Sequence, residues 1–305
     1  MSQPIAVVII PTFRRPAMLR KTLATVAAQE TDYPFAIVVV ENDAAGLEGQ
    51  DVAFEMFARN RMNGVAIVEP KQGNVEAINA GYAAALERFP SARYFLMIDD
   101  DEIASPRWLD LMVTAAERSG AGIVGGPVTP QFEAALPHGM ESHPVFWPIS
   151  APTGPLPMIY GSGNCLVRRD VFSLLGLPAF DVTFNFLGGG DTDFFTRARD
   201  AGVSFYWQAD ALINEMVPAS RTRAQWVFKR GLRIGAINRR IERKSRPQGS
   251  VLLKDAAVLL LSPIRFAREL IRSRSLLQAV HPVSIALGRL LSIGGVETSQ
   301  YRAGR

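Results

Sequence analysis

The sequence predicts an α/β fold in which a doubly wound, mostly parallel sheet is followed by a basic helical C-terminal extension. Over the first half, short and nearly continuous apolar runs alternate with stretches of helical periodicity, as in a parallel sheet covered on both faces by helices. The polar residues that stand out come directly after those runs, beyond the strand ends where such sheets bind ligands. Charge then changes sign along the chain: residues 1–217 hold 15 Lys and Arg against 25 Asp and Glu, and residues 218–305 hold 18 against 4. A chain of 305 residues accommodates one large α/β domain with such an extension, so the division is expected at 1–217 and 218–305.

Strands are expected at Ile5–Ile10, Phe35–Val40, Val65–Val68, Tyr94–Ile98 and Ala121–Val124. Pro16 opens a helix whose Leu19, Leu23 and Val26 share one face, and a second helix runs from about Val75 to Arg88. Ser105 reads as an N-cap with Pro106 at the first helical position. Eight of the twenty prolines fall between Pro127 and Pro157, so an irregular loop is expected there, along one side of the site. A strand at Gly163–Arg168, a short helix at Asp170–Leu175, a glycine run and a helix from about Asp191 complete the domain. Beyond Val217 the chain reads as helical and basic.

Some classes are excluded, and others stay as alternatives that fit less well. One cysteine, Cys165, permits neither an intramolecular disulfide nor a Cys-based zinc cluster, and His138, His143 and His281 are too scattered for a metal cage. A reducing, cytoplasmic setting is expected, with no exported leader. The apolar run Ala256–Ile264 is well short of the roughly 20 residues that span a bilayer, so no transmembrane helix is expected. A dinucleotide oxidoreductase needs Gly-x-Gly-x-x-Gly after the first strand, where this chain has Pro-Thr-Phe-Arg-Arg. A sugar-nucleotide pyrophosphorylase would want a glycine-rich basic loop there. A non-enzymatic binder of membrane or nucleic acid would leave the carboxylate clusters of the first domain without purpose.

Asp99, Asp100, Asp101 and Glu102 follow Tyr-Phe-Leu-Met-Ile, so the end of a buried strand delivers four acidic side chains. Like charges side by side are unfavourable unless a cation shares them, and carboxylate oxygens suit Mg²⁺ or Mn²⁺. The competing reading is a solvated acidic turn that caps the next helix. A second constellation is Gly188-Gly189-Gly190-Asp191-Thr192-Asp193, with Arg197 and Arg199 following. Asp191 is either a general base toward an acceptor hydroxyl or a simple N-cap. Gly161-Ser162-Gly163-Asn164 is either an approach to a sugar or a tight turn, and Trp147, Trp207 and Trp226 either stack on sugar rings or are buried.

Taken in order, Val-Val-Ile-Ile-Pro-Thr-Phe-Arg-Arg, Val-Val-Val-Glu-Asn-Asp, Gly-Asn-Val-Glu-Ala-Ile-Asn-Ala-Gly, Ile-Asp-Asp-Asp-Glu and Gly-Gly-Asp-Thr-Asp-Phe resemble family 2 of the glycosyltransferases, with the GT-A fold. The resemblance covers roughly residues 4 to 235. Asn214-Glu215-Met216-Val217-Pro218, with Arg221 and Trp226, is similar to the branch that builds bacterial exopolysaccharides and lipid-linked glycans. The resemblance implies an inverting transfer from a nucleotide-sugar donor to a glycan or lipid-linked acceptor. It implies that Pro11, Thr12, Phe13 and Arg14 line the nucleoside pocket, that Glu41 or Asp43 contacts base or ribose, and that Lys71, Gly73 and Asn74 lie near the nucleotide. Asp99 and Asp101 match the Asp-any-Asp motif: Asp101 holds Mg²⁺ or Mn²⁺, and its neighbours Asp99 and Asp100 hold ribose and diphosphate. Asp191 matches the aspartate of the family's Glu-Asp pair, the base of the reaction, but Gly190 replaces the glutamate. Glu215 is either a further metal-side ligand or a surface glutamate. The Gln-x-x-Arg-Trp motif of processive synthases is missing, which argues for one sugar per encounter.

In the basic segment 221–275, Ile264, Ala267 and Ile271 share one helical face, while Arg265, Arg268 and Arg272 repeat on its neighbour. That pattern describes a helix lying on an anionic membrane surface, peripheral to the inner face of the cell membrane. The alternative is an apolar face packed on the catalytic domain. Nucleic acid is not expected as a partner, because the segment has few aromatics to stack on bases.

Overall fold

The structure is a computed structural model that describes residues 3–294. Its strands are β1 (Ala6–Thr12), β2 (Phe35–Glu41), β3 (Gly64–Val68), β4 (Tyr94–Met97), β5 (Glu102–Ala104), β6 (Ile123–Gly125), β7 (Val128–Phe132), β8 (Gly154–Leu156), β9 (Cys165–Arg168), β10 (Phe205–Trp207) and β11 (Ile213–Val217). Its helices are α1 (Pro16–Ala27), α2 (Glu48–Asn60), α3 (Asn74–Arg88), α4 (Trp108–Ser119), α5 (Arg169–Leu175), α6 (Gly190–Asp200), α7 (Ala224–Ser245), α8 (Gln248–Ser273) and α9 (Leu276–Ile293).

The main sheet has the order β3-β2-β1-β4-β9-β6-β10-β8. Strands β3, β2, β1 and β4 are parallel, and β9 enters antiparallel between β4 and β6. The chain steps outward from β1 to β3, then returns to the far side of β1 as β4. That reversal makes the carboxyl ends of β1 and β4 a switch point, where open α/β sheets bind their ligands. Both β1 and β2 run past their apolar residues, because Pro11 still stands opposite Val40 and Thr12 opposite Glu41 in the ladder. The core follows the periodicity. Val8, Ile10, Val39 and Leu96 are fully buried with Leu19, Leu23 and Val26 of α1 in one cluster, where each such side chain contributes roughly 1.5–3 kcal/mol.

One local expectation is corrected. Ser105 does not cap α4, which starts at Trp108 with Arg107 in the N-cap place and no side-chain cap bond. Gln29, in the loop just after α1, supplies the polar partner instead: its Oε1 accepts from Leu109 N at 2.8 Å, and its Nε2 donates to Ser105 O at 2.8 Å. A long-range side chain has overridden the local signal.

The chain divides into two compact units, residues 1–129, 149–185 and 190–215 in the first and 130–148, 186–189 and 216–305 in the second. The Pro-rich segment is therefore split, its middle belonging with the C-terminal helices. Within the second unit, Gln278 Nε2 donates to Gly139 O at 2.7 Å, and the Phe146 ring stacks on Trp226 at 6.1 Å. His143 and His281 lie ring to ring at 4.9 Å, and burial, reinforced by His281, pushes His143 down to about 4. Helices α7 and α9 approach so closely that a Cβ at Gly235 would strike the Ile285 carbonyl oxygen and one at Gly288 that of Leu232.

Part of the basic excess is consumed inside this bundle. Asp255 on α8 accepts from Arg239 Nε of α7 at 2.8 Å and from Arg289 Nε of α9 at 2.7 Å, with all three side chains buried. Arg289 also reaches Glu242 at 2.7 Å. Removing one partner of a buried pair strands the others, so Asp255→Ala should lower stability by about 3–5 kcal/mol. The exposed Lys254, paired with Glu242 at 2.5 Å, should cost under about 1 kcal/mol on replacement by Ala. Urea denaturation of the two variants measures the contrast, and equal effects would contradict it.

One described helix, α9, is long and apolar enough to cross a membrane by length and composition, with mean hydropathy 1.4 over 18 residues and a third of them buried. A search for unbroken apolar runs passes over it because His281, Pro282 and Arg289 interrupt the sequence. Arg289 and Gly288 tie this helix into the bundle. Residues 295–305 of the expected basic extension lie outside the described residues.

Candidate active site

The acidic run forms a turn from β4 into β5, pinned from three directions. Asp99 O accepts from Glu102 N at 3.2 Å, and Thr22 Oγ1 of α1 lies 2.9 and 2.7 Å from the carbonyl oxygens of Asp100 and Glu102. The buried Asp100 carboxylate turns back to β1, accepting from the Thr12 hydroxyl at 2.8 Å and the Phe13 amide at 3.4 Å. Arg15 bridges Asp100 at 3.1 Å and Asp101 at 2.6 Å. The switch point is thus closed by side chains that β1 and the β4–β5 turn contribute together.

Charge is crowded here. Glu102 is buried and accepts from Asp99 N at 2.7 Å, and Glu215 stands directly opposite it in the antiparallel pairing of β11 with β5. Burial, then the fields of Asp101, Asp100 and Glu215, raise the Asp99 carboxyl to about 8. Burial and Asp99 push Glu102 well up. Burial raises Asp100 as well, against the pull of Arg15 and the Thr12 hydroxyl. Carboxyl groups that resist ionisation beside one another fit a site that takes up a divalent cation. Among the described residues, no three Asp, Glu, His or Cys side chains form a ready-made cage. One or two of these carboxylates, completed by substrate phosphates, would suit Mg²⁺ or Mn²⁺.

Asp191 is the second residue of α6, inside the first turn and not at the N-cap. The Thr192 hydroxyl lies 3.4 Å from its Oδ1. Its neighbour Asp193 is buried and paired with Arg197 at 2.9 Å, so the two aspartates divide the work: one holds the helix, the other stays half-buried. The Cys165 thiol is buried at the start of β9, opposite Met97. Its pKa is driven up by burial and, further, by the fields of Asp191, Asp99 and Glu102 together. At Gly190 a Cβ would lie 3.0 Å from Val75 and 3.2 Å from Phe180, so a glutamate there would have to displace packed side chains.

The remaining residues sort by exposure. Glu41 is buried, its two oxygens accepting from Asp43 N at 2.8 Å and Gly49 N at 2.6 Å, so it shapes the loop into α2 from beneath. Asp43 faces Arg14, which donates through Nε at 2.7 Å and lies over the Phe13 ring at 4.9 Å; that hydrogen bond pulls the Asp43 carboxyl down. Pro11 is buried, whereas Lys71 and Asn74 are exposed. Gly73 has φ +135°, and a Cβ there would run into the Asn185 side chain.

Three residues to which sequence reasoning gave no role, Asn42, Asn185 and Arg15, organise the site. Asn42 is buried and holds the 69–73 loop, donating to Glu69 O at 2.9 Å and Lys71 O at 2.8 Å and accepting from Gly73 N at 2.7 Å. Asn185 accepts from Val75 N at 3.1 Å and donates to Gln72 O at 3.0 Å. Arg15 and Glu102 complete the acidic turn. Asn42 and Arg15 each adjoin a selected residue, a usable signal; nothing local marks Asn185. Asn164 is structural, since its amide joins Trp108 Nε1, Pro127 O and Ala211 O at 2.8–2.9 Å. Trp207 is buried, and Trp226 is stacked on Phe146.

The family model described as Glycosyl transferase family 2 matches residues 7–175, more than half of the chain. The succinoglycan biosynthesis protein ExoM of Rhizobium meliloti is 35% identical over 151 residues, 48% of either chain. The O-antigen biosynthesis protein RfbC of Myxococcus xanthus is 28% identical over 235 residues, 70% of this chain and 17% of that one. The chain thus spans about half the length of the first relative and a small part of the second. Among solved structures, a mannosyltransferase from Pyrobaculum calidifontis in complex with GDP-Man and Mn²⁺ superposes with TM-score 0.63 at 16% identity, covering 95% of this chain and 88% of that one. TarS 1–349 of S. aureus in complex with UDP gives 0.53 at 14% identity, covering 95% and 92%. At these identities the likeness establishes the fold, a mostly parallel GT-A sheet with C-terminal helices.

Proposed function

The chain belongs to glycosyl transferase family 2, and on that premise we propose that it moves a single sugar from a nucleoside-diphosphate sugar to a hydroxyl of a polysaccharide or lipid-linked precursor, with inversion at the anomeric carbon. The observation that carries this reading is the acidic turn at the switch point of the sheet, where Thr12 at the end of β1 holds Asp100 at 2.8 Å and Arg15 bridges Asp100 and Asp101. Polysaccharide assembly is supported by the relatives named for succinoglycan and O-antigen biosynthesis.

In this reading residues 1–217 are the catalytic domain. Phe13, Arg14 and Asp43 border the nucleoside, the loop that Asn42 holds at Lys71–Gly73 borders the nucleotide, and Asp99 and Asp100 orient ribose and diphosphate. Asp101, with Asp99 and Glu215, would hold the divalent cation; Mg²⁺ or Mn²⁺ there supplies positive charge against the departing diphosphate. Asp191 draws the proton from the acceptor hydroxyl as the oxygen attacks. The C-terminal segment keeps the enzyme at the inner face of the membrane, where a lipid-linked acceptor is presented.

A thermal-shift panel of UDP-, GDP- and dTDP-sugars, each with and without Mn²⁺, tests the donor reading. One nucleotide class should raise the melting temperature only with Mn²⁺, by the equivalent of about 2.7 kcal/mol at a ligand concentration of 100 Kd. No response to any donor in the presence of Mn²⁺ would overturn it.

A further inference from the structure

Helix α8 carries its apolar residues on the outside. Leu253, Leu260, Ile264 and Ile271 recur at spacings of seven, four and seven residues, which puts them on one face, and they are 74%, 74%, 64% and 80% exposed. Ala256 and Ala267 fill the same exposed face. The opposite side holds the buried Val251, Asp255 and Ser262, so α8 is already packed in its bundle through that side. An apolar stripe turned to water over this length costs free energy unless something covers it.

The charges beside the stripe say what covers it. Arg265, Arg268 and Arg272 line one flank, and the acidic residues of α8 do not balance them. Asp255 is consumed inside the bundle by Arg239 and Arg289, and Glu269 pairs with Arg272 at 2.5 Å. Arg265 and Arg268 lie instead on the wall of a cleft of about 290 Å³ at the α8–α9 elbow, with Gln278, His281 and Pro282 of α9 opposite. The one acidic group on that wall is Glu269, whose carboxyl is held low chiefly by its hydrogen bond to Arg272. The cleft is at the small end of the range for ligand sites and suits a headgroup, not a whole lipid. A second copy of the chain would bury the stripe but would bring the same arginine flank against itself, which is electrostatically unfavourable.

We propose that α8 is an interfacial helix that docks on an anionic bilayer, its Leu253–Ile271 stripe entering the acyl boundary while Arg265 and Arg268, at the cleft, seat a lipid phosphate headgroup. An in-plane helix with a large apolar face and a basic flank binds in this way, through buried area plus attraction to anionic lipid. On the bilayer the arginine stems would lie along the apolar stripe, with their heads at the phosphate level. Docking of this kind needs no sugar transfer, and lipid binding is read without turnover, so the two can fail separately.

Co-sedimentation of the full chain with phosphatidylcholine vesicles, with and without phosphatidylglycerol, tests the surface. Binding should require the anionic lipid and weaken with salt. R265Q/R268Q should reduce affinity about 30-fold, as expected for about 1 kcal/mol per arginine at the surface, and L260S/I264S should abolish retention; unchanged melting temperatures confirm folding, since these side chains are exposed. Calorimetric titration with glycerol phosphate tests the cleft: weak binding should be lost in R265Q/R268Q and kept in L260S/I264S. Equal recovery in the supernatant with both lipids overturns the proposal. So does vesicle binding that both double variants retain, or a dimer that L260S/I264S dissolves in a chain that binds no vesicles. Absence of glycerol phosphate binding overturns the headgroup seat.

Discussion

Asp101→Asn is expected to lose its response to Mn²⁺ while keeping its fold. Asp101 is the carboxylate at the lip of the acidic turn, joined to Arg15 at 2.6 Å, and an asparagine there still accepts that hydrogen bond. What disappears is a hard anionic ligand beside Asp99, so the nucleotide's Mn²⁺-dependent thermal shift should vanish. Loss of several kcal/mol of charge stabilisation lowers turnover on the order of 10³-fold. A variant that stays active and Mn²⁺-dependent would remove Asp101 from the cation site. Asp99 adds a pH signature. Its folded pKa, about 8, lies above the unfolded value, so the fold binds the extra proton between about 4 and 8. Without a cation, the stability from this group is fully present below pH 4 and is lost as pH rises through 8. Mn²⁺ must displace that proton, so its stabilisation of the wild type should be larger at pH 8 than at pH 6.

The first domain was legible because its signals are local and redundant. Val8, Ile10 and Val39 are apolar without interruption because helices cover both faces of the sheet, and Leu19, Leu23 and Val26 repeat at helical spacing because one face is buried. The acidic turn was equally plain, since strand and carboxylates are contiguous. What did not show is what the chain assembles across distance. Gln29 caps α4 from the loop after α1, Asn185 holds Gln72 and Val75 from more than a hundred residues away, and Glu41, which reads as a ligand contact, spends both oxygens on backbone amides. None of these has a spacing rule. The tail shows the same limit in charge, because 18 basic residues against 4 acidic ones do not reveal that Arg239 and Arg289 close on Asp255 in the interior. The split of the Pro-rich segment depends on Gln278, Phe146 and Trp226, which lie far apart in the sequence.

Asp191→Asn is expected to separate donor binding from transfer. Asp191 lies within the first turn of α6, and the adjacent Asp193–Arg197 pair at 2.9 Å supports that turn, so the variant should fold and melt like the wild type. Donor affinity and its Mn²⁺ dependence should be nearly unchanged, because the acidic turn and the 69–73 loop are built without Asp191. Transfer should fall by on the order of 10²–10⁴-fold, the usual contribution of a positioned general base. The uncharged amide cannot take up the acceptor proton, so KM for the donor stays while kcat collapses. Asp191→Glu should recover part of the rate, because it restores a base at altered reach. A structural role predicts the reverse pattern, with lower melting temperature, weaker donor binding and no advantage of Glu over Asn. Measuring kcat, donor KM and melting temperature for both variants therefore decides between the base and the helix-start readings of this residue.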